Sequence, residues 1–275
     1  MHSLRRSPAT IFSSVAFLGI GCLGSVGARA ADTNLLTNPF YLSLGTFTVN
    51  SDTKVELDGE GQIGTPINFE KTFGDENATR IRLDGYWRFA DRHKVRFMSF
   101  SSRVENTRTL DEEITWGDET FPIDASVTAE NKFAIYEVAY EYAFMRREKF
   151  ELTASAGLHW TSLTLKLTNN EGASSVSDEG SLDLPLPVFG LRGLWNPYGD
   201  FWIDGSAQVF SLSYDAYDGH LSDYRLAALW QPKKWLGVGL GYNVFKVDVD
   251  ADKERFRGSL NWQYDGPQVF ISGTF

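Results

Sequence analysis

The side chains best suited to chemistry are arginines and carboxylates that recur at alternate positions, as in Arg80 and Arg82 or Arg255 and Arg257. We predict that they share one face of successive strands and line the lumen of a closed sheet. The predicted lining residues are Arg80, Arg82, Asp84, Arg88, Glu137, Glu141, Arg192, Asp204, Arg225, Arg255 and Arg257. A ring of cations would favour anions in a pore. Alternatively, arginine–carboxylate pairs would fill a narrow lumen, and we slightly favour the filled lumen.

His159 is a weak candidate for catalysis. A nucleophile needs a base within hydrogen-bond reach and a third group that orients the base. In a strand, His159 and Thr161 share a face, whereas Ser162 points to the opposite face. We therefore predict no catalytic residue and interpret His159 as one polar lining residue among many.

The acidic segment 248–254 contains the pattern Asp-X-Asp-X-Asp that begins many calcium-binding loops. The glycine required at the sixth position is replaced by Lys253, and the glutamate required at the twelfth is replaced by Ser259. The pattern therefore excludes an EF-hand. We expect no metal site and no cofactor, and we interpret this segment and the acidic segment 105–130 as solvated loops.

The elements that must position these residues are β-strands, because apolar and polar residues alternate with period two and no useful helical period occurs. In 80–89, for example, Ile81, Leu83 and Trp87 oppose Arg82 and Arg88. The same alternation occurs in segments 40–50, 136–144, 150–161, 201–209, 236–244, 256–264 and 269–275, and more weakly in 93–104, 184–195 and 223–230. The sequence therefore predicts an all-β fold.

Short connections rich in turn-forming residues separate many of these strands, and longer acidic connections separate the others. We include Asp265-Gly266-Pro267 among the short turns. The sequence thus contains eleven clear alternating segments. Because membrane β-barrels normally have an even number of strands, we add a strand in 64–74. The prediction is a closed antiparallel up-and-down transmembrane β-barrel of about twelve strands, with ten as the alternative. A turn at 265–267 would place Phe275 at the end opposite the short turns.

Residues 1–30 have the features of a cleaved secretory signal peptide, with Arg5 and Arg6 before an apolar run and a small-residue cleavage site at Ala28-Arg29-Ala30. A lipid anchor on Cys22, the only cysteine, is a less favoured alternative. Removing Arg5, Arg6 and Arg29 changes the net charge from −10 to −13, which argues against nucleic-acid binding. We expect residues 31–275 to form a single domain.

The aromatic residues indicate which face of the strands points outward. Of the eight tryptophans, six lie near the short connections: Trp87, Trp195, Trp202, Trp230, Trp235 and Trp262. Aromatic belts are typical of membrane interfaces. Charges pointed at hydrocarbon would each cost about 2–4 kcal/mol near the bilayer midplane, so we expect them to face inward.

A predicted signal peptide, amphipathic strands, aromatic rims and a terminal Phe275 together resemble a bacterial outer-membrane β-barrel protein over about 40–275. The resemblance implies location in a Gram-negative outer membrane, and contact with outer-membrane lipid and lipopolysaccharide. It also implies that Phe275 is an assembly signal read by the barrel-assembly machinery.

The expected function is structural or that of a narrow, porin-like passive channel with an arginine-rich lumen, for which small solutes are candidate ligands. An outer-membrane enzyme resembling lipid A deacylases, which pair a histidine with a nearby serine on a barrel strand, is one alternative. A soluble periplasmic ligand-binding barrel is another.

Overall fold

Ten long strands form a closed barrel in the computed structural model, which describes residues 34–74, 78–169, 176–214, 217–253 and 256–275. The barrel strands are β1 (Phe40–Leu57), β3 (Ala78–Ala90), β4 (His93–Thr109), β7 (Ser126–Arg147), β8 (Phe150–Asn169), β9 (Val176–Tyr198), β10 (Phe201–Tyr214), β11 (Tyr217–Lys233), β12 (Leu236–Lys253) and β13 (Phe256–Thr274). The predicted signal peptide lies outside the described residues.

The barrel closes by antiparallel pairing of β1 with β13, from Tyr41 opposite Thr274 to Leu57 opposite Gly258. Every other neighbouring pair is also antiparallel and consecutive in the barrel. The predicted up-and-down β-barrel is therefore confirmed, with the lower of the two expected strand numbers. Within the part of the chain that the structure describes, no helix is both long and apolar enough to cross a membrane.

The predicted turn at Asp265-Gly266-Pro267 is wrong, because these residues continue β13. Pairing with β12 continues through them, with Tyr242 opposite Pro267. On the β1 side the ladder lapses between Gln268 and Asp265, which is expected beside a proline that has no N–H to donate. With that turn removed, the strand number is even.

The chain terminus consequently lies at the same end of the barrel as the short turns. The backbone N–H of Phe275 donates to the carbonyl of Phe40 (3.1 Å), and that of Thr274 donates to the carbonyl of Trp235 (3.0 Å), next to the turn between β11 and β12. The expected separation of Phe275 from the short turns is therefore also wrong.

The additional barrel strand predicted in 64–74 is not formed. This region contains the two-residue β2 (Ile67–Asn68), which pairs with β1, and the short helix α1 (Phe69–Phe73). Phe69 and Phe73 are both buried at helical spacing, and the Asn68 side chain caps the helix by accepting from the N–H of Lys71 (3.0 Å).

Besides α1, a short hairpin lies at the end of the barrel far from the short turns. The hairpin of β5 (Ile114–Trp116) and β6 (Glu119–Phe121) buries Trp116 fully. It is joined to β1 by the N–H of Gly117, which donates to the carbonyl of Leu57 (2.9 Å). Together with α1 it covers the interior.

The strands invert their amphipathic sense about halfway along. On β8 the outward residues change from Leu158 and Trp160 to Ser162 and Lys166, while Leu163 is buried inside, just beyond the polar lining. On β12 the outward residues change from Leu240, Tyr242 and Val244 to Lys246, and the inward residues change from Asn243 to Phe245 and Val247. We call the part nearer the short turns the lower half and the remainder the upper half.

The outer surface of the lower half is an exposed apolar band. On β7 it extends from Tyr136 to Phe144, and this length matches the roughly 9–11 residues with which a tilted strand crosses a bilayer. Around the short turns the band includes exposed aromatic residues: Phe40, Trp87, Phe89, Trp195, Phe201, Trp230 and Trp235. Such a surface suits lipid and an aromatic interface.

The upper half is packed like a water-soluble barrel, with an aromatic core that includes Phe47, Phe133, Phe245, Trp262 and Tyr264. Trp262 therefore points inward. Trp202 is also buried, in a smaller apolar cluster at the short-turn end. For these two tryptophans the predicted position in an outer aromatic rim is wrong.

Candidate functional site

The interior of the lower half holds a buried network of six cations and six carboxylates, which we call the lower network. Its members are Arg82, Arg88, Lys94, Arg96, Arg192, Arg225, Asp84, Glu137, Glu141, Glu151, Asp204 and Asp223. Each of these side chains lies at an inward position of its strand, and its outward neighbours belong to the other face. The six positive and six negative formal charges balance. The ion pairs connect neighbouring and non-neighbouring strands.

The densest part of the lower network lies nearest the short turns. Lys94 Nζ bridges Glu141 Oε2 (3.0 Å) and Glu151 Oε1 (2.8 Å). Arg88 donates through both terminal nitrogens to the Glu151 carboxylate (2.9 and 3.1 Å), and Arg96 Nε donates to Glu141 (2.6 Å). Bidentate and charge-assisted bonds of this kind are among the strongest in proteins.

Tyr86 lies at the centre of these cations. The side chains of Arg88, Lys94 and Arg96 approach its ring at 5.9, 5.2 and 5.6 Å from the centroid, within cation–π range. Its hydroxyl donates to the backbone carbonyl of Leu35 (2.7 Å). Leu35 is buried in the apolar cluster at the short-turn end, so the segment before β1 packs into the lower end of the interior.

A second part of the lower network lies near the middle of the barrel. Arg82 forms two bonds of 2.9 Å with the Asp84 carboxylate and donates to Asn243 Oδ1 at 2.7 Å. The amide nitrogen of Asn243 in turn donates to Asp223 (2.6 Å). Asn243 is fully buried, and it links a pair on β3 to a carboxylate on β11.

Asp204 joins two arginines from the strands on either side of β10. It forms salt bridges with Arg192 of β9 and with Arg225 of β11, the latter at 3.0 Å. Arg225 also donates to Gln268 of β13 (3.2 Å). These bonds extend the lower network from β9 to β13.

Glu137 binds an amide. Its carboxylate accepts from Gln208 Nε2 (2.6 Å). A cavity of about 20 Å³ lies among Glu137, Arg96, Arg192, Asp223 and other members of the lower network. That is enough for about one water molecule. The side chains therefore occupy most of this region.

Eight of the predicted lining residues are brought together in the lower network: Arg82, Asp84, Arg88, Glu137, Glu141, Arg192, Asp204 and Arg225. Arg80 lies apart from them, against a cavity of the upper half. Arg255 lies outside the described residues. Arg257 is exposed and shares its strand face with the outward Val269, so the prediction that it lines the lumen is wrong.

The error at Arg257 has a physical cause. The apolar side chains of β13 were assigned outward along the whole strand, but in the upper half Trp262 and Tyr264 form the core and the polar face points to water. Sequence reasoning also missed Lys94, although it alternates with Arg96 on β4, and the amides Asn243 and Gln208. The alternation of Lys94 with Arg96 could have identified Lys94 as a lining residue. Asn243 and Gln208 gave no such signal, because they bind members of the lower network only once strands far apart in sequence meet in the barrel.

His159 is fully buried between the two halves. Its Nδ1 lies 3.1 Å from Thr161 Oγ1, and its ring stacks on Phe245 with centroids 5.4 Å apart. Ser162 lies on the outward face, so the histidine and this serine do not meet. Among the described residues, no group of three or more histidine, cysteine or acidic side chains is arranged to hold a metal ion.

Comparison with solved structures identifies the fold. The outer-membrane protease OmpT of Escherichia coli matches with a TM-score of 0.57 and 11% sequence identity, over 88% of this chain and 98% of that chain. The toluene transporter TodX of Pseudomonas putida (TM-score 0.33, 10% identity, 89% and 92% coverage) and Ail of Yersinia pestis (0.32, 13%, 84% and 98%) are more distant. No family model and no curated protein matches the sequence. The chain has the fold of a bacterial outer-membrane β-barrel protein.

Proposed function

We propose that this protein is a structural, non-conducting barrel of the Gram-negative outer membrane that holds its upper half above the lipid. The single observation that carries the proposal is the filled interior. The lower half contains a charge-balanced network, and the upper half contains an apolar aromatic core.

A filled interior disfavours a channel for two reasons. Ions would have to displace buried pairs such as Arg88 with Glu151, and breaking such a pair typically costs about 3–5 kcal/mol. They would then have to pass an apolar core in which Trp262 and Phe245 are fully buried. Both barriers lie in series along the barrel axis.

The location is part of the same proposal. The apolar band of the lower half would contact outer-membrane lipid, with lipopolysaccharide around the upper half. The short turns and Phe275 would face the periplasm, where the barrel-assembly machinery would read Phe275 as an assembly signal. A signal peptide covering residues 1–30 would direct export and then be removed.

Planar-bilayer recording tests the proposal against a narrow passive channel. We expect no discrete conductance steps from protein whose insertion has been verified by flotation of proteoliposomes. Reproducible anion-selective steps that lose their selectivity on Arg82→Gln would overturn the proposal, because they would require an arginine-lined path through the lower network.

A further inference from the structure

The short turns at the lower end of the barrel carry an excess of positive charge. With the residues next to them they comprise 90–92, 145–149, 196–200 and 231–235, all of which the structure describes. They contain six cations (Arg92, Arg146, Arg147, Lys149, Lys233 and Lys234) and three carboxylates (Asp91, Glu148 and Asp200). The whole chain has a net charge of −10, and segment 110–125 at the opposite end contains six acidic residues and no cation. Charge is therefore distributed asymmetrically along the barrel axis.

Ion pairs within the protein do not account for this excess. Arg146 pairs with Asp91, and Lys234 also has an interaction partner. The other four cations are exposed and form no ion pair with the described residues: Arg92, Arg147, Lys149 and Lys233. We call these four residues the basic rim. Their charges are available to a partner outside the protein.

The basic rim borders the apolar band at a fixed spacing. On three strands an exposed aromatic residue precedes a cation of the basic rim by three positions: Phe89 before Arg92, Phe144 before Arg147, and Trp230 before Lys233. Aromatic rings settle at the level of the lipid headgroups. Lysine and arginine keep their apolar stems on such a surface and extend the charged group into the polar layer. This layer holds the phosphate groups of a bilayer.

A phosphate group without a neighbouring ammonium group complements the basic rim best. Arginine binds phosphate through two parallel bonds, and lysine binds it as a point charge. We propose that the basic rim binds the headgroups of anionic phospholipids, such as phosphatidylglycerol, in the leaflet that the short turns face. The inference rests on the proposed membrane location, and it goes beyond that location by assigning a lipid class to one end of the barrel.

Quenching of tryptophan fluorescence by brominated lipids tests the inference. Four of the five exposed tryptophans lie near the short turns: Trp87, Trp195, Trp230 and Trp235. Quenching therefore reports mainly on lipids at this end. The protein is reconstituted in vesicles of equimolar phosphatidylcholine and phosphatidylglycerol, with one of the two lipids brominated. At low ionic strength we expect phosphatidylglycerol to associate at least about twofold more strongly. This ratio should fall towards one in about 1 M salt, which screens exposed charges.

Two triple variants locate the preference on the barrel. The test variant replaces three cations of the basic rim: Arg92→Gln, Arg147→Gln and Lys233→Gln. The matched control replaces three outward lysines of the upper half, which also form no ion pair with the described residues: Lys54→Gln, Lys132→Gln and Lys166→Gln. We expect the test variant to bring the ratio close to one and the control to retain the preference. Both are first shown to be folded by circular dichroism.

The possible failures of this inference and of the membrane location give different results. Equal association of the two lipids with the parent protein would overturn the inference and leave the membrane location intact. An equal loss of preference in the two triple variants would have the same consequence, because the preference would then not belong to the basic rim. Absence of quenching by either lipid would contradict the membrane location itself, and the inference with it.

Discussion

Glu141 is one of the two carboxylates in the densest part of the lower network, and both Lys94 and Arg96 bind its carboxylate inside the barrel. Replacing it by glutamine would leave two buried cations with fewer counter-charges. Removing one partner of a buried pair typically costs about 3–5 kcal/mol. We expect Glu141→Gln to lower the free energy of unfolding by about that amount, measured by urea titration in phospholipid vesicles with tryptophan fluorescence.

Glu130→Gln provides the control for that prediction. Glu130 also pairs with an arginine, Arg103, at 2.9 Å, but this pair lies on the outer face of the upper half. Exposed pairs contribute about 0–1 kcal/mol, so the change in unfolding free energy should stay within that range. Equal effects of the two substitutions would show that burial of the lower network does not govern its contribution.

The individual lining residues were partly predictable from sequence. Alternation with apolar neighbours was sufficient for Arg82, Asp84 and Glu141, which lie within the lower half. It failed at Arg257, because alternation determines only which residues share a face and not which face points inward. Which face points inward depends on whether lipid or water surrounds that part of the strand, and this is a property of the assembled barrel.

At the scale of the elements, β13 shows how local signals can mislead. Asp, Gly and Pro are turn formers, yet at 265–267 they lie within a strand that is paired with β12 throughout and with β1 on either side of Gly266 and Pro267. Glycine has a packing role there, because a Cβ on Gly266 would lie 1.8 Å from the carbonyl oxygen of Thr48. Two neighbouring strands thus determine a conformation that the local sequence disfavours.

This close approach predicts the effect of a single methyl group. Gly266→Ala should separate β1 from β13 at the position where the barrel closes, because the obstructing atom belongs to the backbone and cannot rotate away. We expect a loss of about 2 kcal/mol or more in unfolding free energy, with slower folding into vesicles followed by gel mobility of unheated samples.

Gly205→Ala is the matched substitution on β10. There the nearest atom to an added Cβ is a leucine methyl at 3.6 Å, which is an ordinary contact. Stability and folding rate should remain close to those of the parent protein. A large loss at Gly205, or none at Gly266, would contradict the packing account of the closing strand pair.

At the scale of the whole molecule, the barrel combines two solutions to the same burial problem. In the lower half apolar side chains point outward, as a lipid environment would require, and polar groups pair inside, whereas in the upper half polar side chains point outward and apolar groups pack inside. Both halves preserve period two, so the sequence predicted a barrel across its full length. The alternation of apolar and polar residues continues unchanged across the boundary between the two halves. For that reason Trp262 was assigned to the wrong face.

The level of this change can be measured with single cysteines on β12, because the only native cysteine is Cys22. Leu240 and Lys246 share the outward face, and both side chains are exposed from the protein, Leu240 by 63% as a residue and the Lys246 side chain by 46%. In detergent micelles we expect a water-soluble maleimide to label Lys246→Cys at least tenfold faster than Leu240→Cys, because only the lower position lies within the apolar band. After unfolding in urea the two rates should become equal, which excludes an intrinsic difference in thiol reactivity. Equal rates in the folded state would mean that the detergent belt does not end between these positions and that the two halves do not have separate environments.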